Sequence, residues 1–408
     1  MGVRAVSLGC RLNGAEAETM RRLAEAAGQR DLTIVNTCAV TAEATRQSAQ
    51  AIRRAGRLRP QDRIVATGCA AEIDPGRFRA IPELAGIVPN GAKTDPETWI
   101  RLGGATATSE LRYGLAGPAS DGGAGRVRAF VEAQNGCDHD CTFCTIPRGR
   151  GRSRSQTPEA VIAAVRDAVE GGAREVVLTG VDLTAYGADL AGTPALGRLV
   201  RLILRAVPDL PRLRLSSIDS AEAESELLAA FAEEPRLMPH LHLSLQAGDD
   251  MILTRMKRRH RRADAVAVCR RLRAVRPDIV FGADLIAGFP TESEAMFGRT
   301  LDLAQECGLT YLHVFPYSVR PGTPAARMPA VPGEIVRERA GRLRGAGEAA
   351  LRRHLAAEVG RTRQVLFEDS GLGRTEGFAP VRAVGPVEPR ALRSMRITGQ
   401  DGSALLAA

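Results

Sequence analysis

Between residues 126 and 316 of this 408-residue chain, six strand-like runs (127–134, 175–180, 213–217, 240–246, 279–286 and 311–316) alternate with helical patterns, among them 158–170, 221–233, 263–275 and 292–306. Strands joined by crossover helices pair in parallel, and six of them form a twisted open or partial (β/α)6 barrel whose functional groups gather at the strand C-termini. A shorter form of the same alternation opens the chain. Strand-like 3–8, 33–36 and 63–67 alternate with helical 15–27 and 42–58, which predicts a small parallel α/β domain. Between the two, 103–125 carries seven glycines with Ser, Thr and Pro and no apolar period, a linker by composition. After a basic helical stretch at 334–356, short β-like runs such as 364–367 and 395–398 stand among Gly and Pro, which predicts a small C-terminal β-barrel. The expected α/β organisation is therefore 1–102, a linker at 103–125, 126–354 and 355–408.

No apolar run approaches the roughly 18 to 20 residues a membrane span needs, and the start lacks a basic segment followed by a long apolar one. A cytoplasmic protein is expected. The net charge of +9 suits an anionic partner such as nucleic acid without requiring one. Lys occurs only at Lys93 and Lys257, and this skew toward Arg, with abundant Ala and Gly, also fits a GC-rich genome. The location of the charges has to decide.

The eight cysteines constrain chemistry more tightly, because in a reducing compartment clustered thiols are metal ligands rather than disulfides. Cys137, Cys141 and Cys144 form C-x3-C-x2-C directly after the first strand of the longer repeat. Three thiolates in one short loop can hold three irons of a [4Fe–4S] cube and leave the fourth open. Zinc is the alternative, but it needs a fourth ligand, and His139 inside the same tight loop is poorly placed to be one. Cys10, Cys38 and Cys69 each stand just past a predicted strand of the first repeat. Neighbouring parallel strands bring their C-termini to one edge, where these three would converge. Buried structural thiols are the alternative there. For Cys269, within a helical pattern, and Cys307, at the end of one, the buried-thiol reading is preferred.

The spacing and position of the Cys137–Cys144 loop resemble the radical-SAM superfamily, in which the open iron chelates S-adenosylmethionine (SAM) and an electron cleaves it to a 5′-deoxyadenosyl radical. Leu8-Gly-Cys-Arg-Leu-Asn13, Val35-Asn-Thr-Cys-Ala-Val-Thr41 and Ala66-Thr-Gly-Cys-Ala70 resemble the three amino-terminal cysteine motifs of the methylthiotransferases, and the β-like tail resembles their TRAM domain. The match covers essentially the whole chain. It implies a second [4Fe–4S] cluster on Cys10, Cys38 and Cys69 that carries the sulfur to be delivered, so six cysteines in all would bind metal. It also implies a tRNA anticodon loop as partner, an electron donor such as flavodoxin or ferredoxin, a sulfur donor the sequence does not identify, and a monomer. The run 145–155, His313-Val-Phe-Pro-Tyr-Ser and 320–328 resemble the subgroup acting on threonylcarbamoyl-adenosine at tRNA position 37. The isopentenyl-adenosine subgroup is the nearest rival. The subgroup acting on a ribosomal-protein aspartate fits less well, since its tail tends to be acidic and this one is near neutral.

Along 240–246, Leu241, Leu243 and Leu245 alternate with His240, His242, Ser244 and Gln246, so a barrel strand that buries the leucines against helices turns the polar set inward. A hydrogen-bonded polar core is the alternative use of that set. The resemblance extends the SAM-binding candidates to Thr179, Gly180, Asp182, Ser216, Ser217, Asp284 and His313, with no separate catalytic residue beyond the cluster ligands. In Ile286-Ala-Gly-Phe-Pro-Thr-Glu292, Thr291 replaces the usual glycine of the family's Gly-Phe-Pro-Gly-Glu stretch. Arg148, Arg150, Arg152 and Arg154 alternate after the cysteine loop, and Arg255, Lys257, Arg258, Arg259, Arg261 and Arg262 crowd one segment. Both groups are expected to contact RNA phosphates, with solvated surface as the alternative. Two other hypotheses stay open: an RNA-binding protein with a structural cluster, which would release no 5′-deoxyadenosine, and a radical-SAM enzyme without sulfur insertion, for which Cys10, Cys38 and Cys69 would be dispensable.

Overall fold

The computed structural model describes residues 2–103, 126–219, 224–368 and 371–408. The glycine-rich stretch expected to be a linker lies outside the described residues, except Gly103, which ends the helix Pro96–Gly103.

The amino-terminal part is a four-stranded sheet in sequential order, Val3–Ser7, Leu32–Thr37, Arg63–Gly68 and Gly86–Ile87. The first three strands pair in parallel, with Ser7 opposite Asn36 and Thr37 opposite Gly68. The last strand, two residues long, carries no sequence pattern of its own. Helices Arg11–Ala26 and Ala42–Leu58 flank the sheet, the second capped by the Thr41 side chain, which accepts from Ala44 N. One apolar cluster, with Met20, Ile34 and Trp99, and another, with Val35, Ile52 and Phe78, make its core.

The larger part is an incomplete parallel barrel in two sheets. Strands Arg128–Glu132, Glu175–Thr179 and Arg212–Leu215 form one; Ser217–Ile218, His240–Gln246, Val280–Ala287 and Leu309–Pro316 form the other. The third expected strand is thus broken at Ser216, where Ser216 N donates to Leu178 O at 2.9 Å. Leu241, Leu243 and Leu245 are fully buried in the main apolar core with Phe281 and Val200, so the leucine face does pack outward against the helices. Helix Gly333–Glu358 lies against strand Leu309–Pro316. No helix among the described residues is long and apolar enough to cross a membrane.

The tail closes into a five-stranded barrel, Thr362–Phe367, Leu372–Arg374, Pro380–Ala383, Leu405–Ala407 and Leu392–Gln400 in spatial order. Two of the five strands overlap the β-like runs read from the sequence. The barrel docks on the N-terminal ends of the larger sheet through buried charge. Glu175, fully buried, lies 2.6 Å from Arg128 and 3.0 Å from Arg214, while Arg212 and Arg214 donate to the backbone carbonyls of Gln364 and Glu376. Burial alone would raise the Glu175 carboxyl, but these arginines hold it far below the usual carboxylate range. Phe378 stacks beneath the guanidinium groups of Arg128, Arg214 and Arg374.

Candidate functional site

The aligned ends of the amino-terminal strands put Cys10, Cys38 and Cys69 on one edge. Gly9, at φ +92°, turns the chain so tightly that a Cβ there would fall 2.4 Å from Cys38 Sγ, a position only glycine can fill. Cys38 Sγ accepts from Val40 N at 3.4 Å, and Cys69 Sγ lies 3.9 Å from Asn90 Nδ2. Asn13, from the same motif as Cys10, donates to Leu8 O and Thr37 O and so ties the loops of Cys10 and Cys38 together. Burial pushes the Cys38 thiol up to about 11, with the neighbouring Cys10 and Cys69 thiols adding to the shift.

In the barrel, Gly136 at φ +72° leads into Cys137; a Cβ there would meet Arg152 O at 1.9 Å. Cys137 and Cys144 Sγ each accept a backbone N–H, from His139 and Ile146 at 3.4 Å, and Arg258 Nη1 approaches Cys141 Sγ at 3.6 Å. Burial pushes the Cys137 thiol up to about 12. Thiols raised this far become ligands only where strong positive charge meets the sulfurs, as iron provides, and the N–H donors are poised to stabilise the thiolates. Both trios therefore fit a cluster. His139 instead sets Nε2 2.6 Å from Asp182 Oδ2.

The two cysteine-bearing parts meet closely. Gly149, just past the barrel's cysteine loop, is so close to Cys69 that a Cβ would touch Cys69 Cβ at 3.0 Å, and Asn90 Nδ2 also donates to Gly149 O. A cavity of about 170 Å³ is lined by Cys144, Phe143, Gln246, Asp284, Ile286, Tyr317 and Arg320, together with Val40 and Thr41 from the amino-terminal part. A second, of about 410 Å³, shares Thr41 and Arg320 with it and continues along Ala70, Ile73, Thr145 and Arg148.

The SAM-binding candidates fall into two groups. Gln246 and Asp284 line the first cavity, and Gln246 holds φ +67°, a strained backbone at a site wall. Asp284 Oδ1 bridges His242 Nε2 at 3.0 Å and His313 Nδ1 at 3.3 Å. Burial would raise the Asp284 carboxyl, but the hydrogen bonds from the two imidazoles hold it at about 2. Gly180, Asp182, Ser217 and Ser244 sit at or near the C-terminal ends of their strands, away from that cavity's lining; Asp182 also accepts from Thr184 Oγ1 at 2.6 Å. Thr291, in place of glycine, adopts φ +68°, so the loop keeps a left-handed turn, and its Oγ1 accepts from Arg255 Nη1 at 2.7 Å.

The arginine run is not a uniform surface. Arg148, Arg152 and Arg154 are exposed, but Arg150 is buried, 2.7 Å from Glu16 Oε1, and donates to Asn13 Oδ1 and Asn135 Oδ1. The expected RNA contact at Arg150 is corrected accordingly: the helical turn Ile146–Arg150 leaves Arg148 outside and turns Arg150 inward, where a carboxylate from the other part of the chain waits. The second basic segment is also partly consumed by the protein. Arg258 pairs with Asp219, Arg262 with Glu306 and Lys257 with Asp140. The sequence reading passed over Lys93, Asn90, Arg258 and Arg320 as parts of the site. Of these, Arg258 stood in the basic segment expected to contact RNA and Arg320 in the run 320–328, but neither was read as part of the cysteine site, and Lys93 and Asn90 carried no periodic or spacing signal.

The radical SAM superfamily model matches residues 131–304, and that of the uncharacterized protein family UPF0004 matches residues 3–88. A protein of Rickettsia prowazekii named threonylcarbamoyladenosine tRNA methylthiotransferase MtaB is 46% identical over 92% of this chain and 90% of its own length. A tRNA-2-methylthio-N(6)-dimethylallyladenosine synthase of Cereibacter sphaeroides is 33% identical over 89% and 86%. Among solved structures, the radical SAM methyltransferase TsrM of Kitasatospora setae superposes with a TM-score of 0.55 at 16% identity, covering 77% of this chain and 68% of that one, a likeness of fold.

Proposed function

The chain belongs to the radical-SAM methylthiotransferase family, and from that premise we propose that it converts N6-threonylcarbamoyladenosine at tRNA position 37 to its 2-methylthio derivative. The observation that supports the reading is the close approach of the two cysteine-bearing parts: the parallel register of one sheet brings Cys10, Cys38 and Cys69 to one edge, and Cys69 packs against Gly149, just past the barrel's cysteine loop. A single-cluster enzyme has no use for the first trio. The choice of substrate is supported by the 46% identity to the threonylcarbamoyl-named relative, against 33% to the dimethylallyl-named one.

In this reading Cys137, Cys141 and Cys144 hold the SAM-binding cluster and Cys10, Cys38 and Cys69 the second one. When bound, the cofactors supply a 5′-deoxyadenosyl radical and a methyl group, the chemistry this fold only has to place. Gly180, Asp182, Ser217, His242, Ser244, Gln246, Asp284 and His313 hold SAM, with Asp284 ionised between its two imidazoles. Phe143, Ile146 and Ile286 keep water from the radical, and the adenine leaves the anticodon stack to enter between the trios. Arg148, Arg152 and Arg154 hold RNA phosphates beside the entrance, and the five-stranded barrel acts as a TRAM-like RNA-binding unit. The enzyme works in the cytoplasm as a monomer, reduced by a flavodoxin or ferredoxin.

The test offers reconstituted enzyme, SAM and a strong reductant three tRNA pools: unmodified, isopentenylated and threonylcarbamoylated. Methylthiolation of the threonylcarbamoylated pool is expected. Product confined to the isopentenylated pool overturns the substrate, and product in none favours a ribosomal-protein target.

A further inference from the structure

Arg320 follows the last strand of the larger sheet and lines both cavities. Its Nη1 donates to Phe143 O at 3.3 Å, one residue before Cys144, and its Nη2 donates to Val40 O, two residues after Cys38. The loop that carries it is fastened on both sides: Ala42 N donates to Ser318 Oγ at 3.2 Å, and Arg148 Nη1 to Pro321 O at 3.2 Å. One guanidinium thus bridges the two cysteine-bearing loops.

Its charge is unusual for its surroundings. Among the described residues no carboxylate comes within ion-pair distance of Arg320, and its buried Nε has no hydrogen-bond partner. Nearby cations differ: Arg150 has Glu16 and Arg258 has Asp219. Burial weakens the charged form of Arg320, and the groups nearby whose negative charge would oppose this are Cys144, Cys38 and Tyr317. A half-buried cation lacking a carboxylate is costly unless other anions offset it. Two sulfur-ligated centres, one on each side, are such anions.

We infer that Arg320 is a positioning residue that fixes the Cys38 and Cys144 loops relative to each other, with its positive charge serving both sulfur-ligand sets. The inference rests on the two-cluster reading. Cluster potentials follow local charge and hydrogen bonding, so removing this cation makes both centres harder to reduce. Lysine keeps the charge but has no planar fork to span two carbonyls, so it should preserve the potentials and loosen the geometry.

The test uses reconstituted holoenzyme carrying R320K or R320Q, read by iron content, by redox titration of the reduced-cluster resonances without tRNA, and by product formed per 5′-deoxyadenosine. R320Q is expected to show about a tenfold smaller reduced-to-oxidised ratio at the wild-type midpoint, equivalent to about 59 mV for one electron. R320K is expected to keep wild-type potentials and iron while its product ratio falls several-fold. Iron lost from R320Q and regained in R320K also supports the charge role. Wild-type potentials in R320Q, a wild-type product ratio in R320K, or iron lost from both variants overturns the proposal. Failure of the two-cluster reading is separately visible, since the wild type would then hold one cube and show one resonance.

Discussion

Arg150 Nη1 and Glu16 Oε1 lie 2.7 Å apart with both side chains sealed from solvent, so the barrel and the amino-terminal sheet share one buried ion pair behind the Cys10 loop. Lys93 Nζ reaches the other oxygen of the same carboxylate at 2.6 Å. Burial would raise Glu16, but Lys93 and Arg150 together hold it at about 2, so it stays ionised at any working pH.

Removing one partner of a buried pair leaves the desolvation cost without its compensation. Arg150→Ala is therefore expected to cost about 3–5 kcal/mol in denaturant unfolding of the holoenzyme, while Arg152→Ala, at a 92% exposed side chain, should change stability little. Equal small losses in both variants would mean that Glu16 is satisfied by Lys93 alone.

Glu175 makes the corresponding prediction for the docking of the C-terminal barrel. Its folded-state pKa is depressed, so its contribution is present above the unfolded carboxylate value near 4.5 and is lost only as pH falls through the depressed value. Glu175→Gln should lower the thermal midpoint by an amount that stays constant from pH 8 to pH 5. A difference that already shrinks between pH 6 and pH 5 would show that the carboxylate is not held down by Arg128, Arg212 and Arg214.

Much of this was open to reading in the sequence because local pattern and tertiary use agree. The strand His240–Gln246 falls where its alternation puts it, and the cysteines after three strands share an edge because a parallel register leaves them no other place. Arg150 was misread because nothing local separates it from Arg148 and Arg152; its partner lies 134 residues away. Arg320 went unnoticed as a bridge for the same reason. Its two carbonyl acceptors belong to loops that only the assembled fold brings together. The strands Leu372–Arg374, Pro380–Ala383 and Leu405–Ala407 are three or four residues long, too short to show a period, and are held by barrel closure rather than by their own composition.

With Arg150 removed from the set, Arg148, Arg152 and Arg154 remain as the proposed phosphate contacts. Their combined replacement by Ala should weaken tRNA binding and reduce the slope of log affinity against log salt by roughly one unit per lost contact. SAM cleavage without tRNA should persist, since none of the three lines the cavity beside Cys144. An unchanged slope would return them to solvated surface.

The proposed division of labour between the two cysteine trios makes a prediction for each. Reconstituted wild-type protein should hold about eight irons, two cubes of four. Replacing Cys137, Cys141 and Cys144 by Ala should leave about half and abolish 5′-deoxyadenosine formation. Replacing Cys10, Cys38 and Cys69 should also leave about half, but with reductive SAM cleavage retained and methylthio transfer gone, because the barrel loop and Asp284 are untouched. The trios stand on different sheets and each is positioned by its own glycine turn, at Gly9 and at Gly136, so either should assemble without the other. Full iron in either triple variant, measured together with product by mass spectrometry, would refute that assignment. Methylthio transfer that survives loss of the amino-terminal trio would leave a radical enzyme whose sulfur comes from elsewhere.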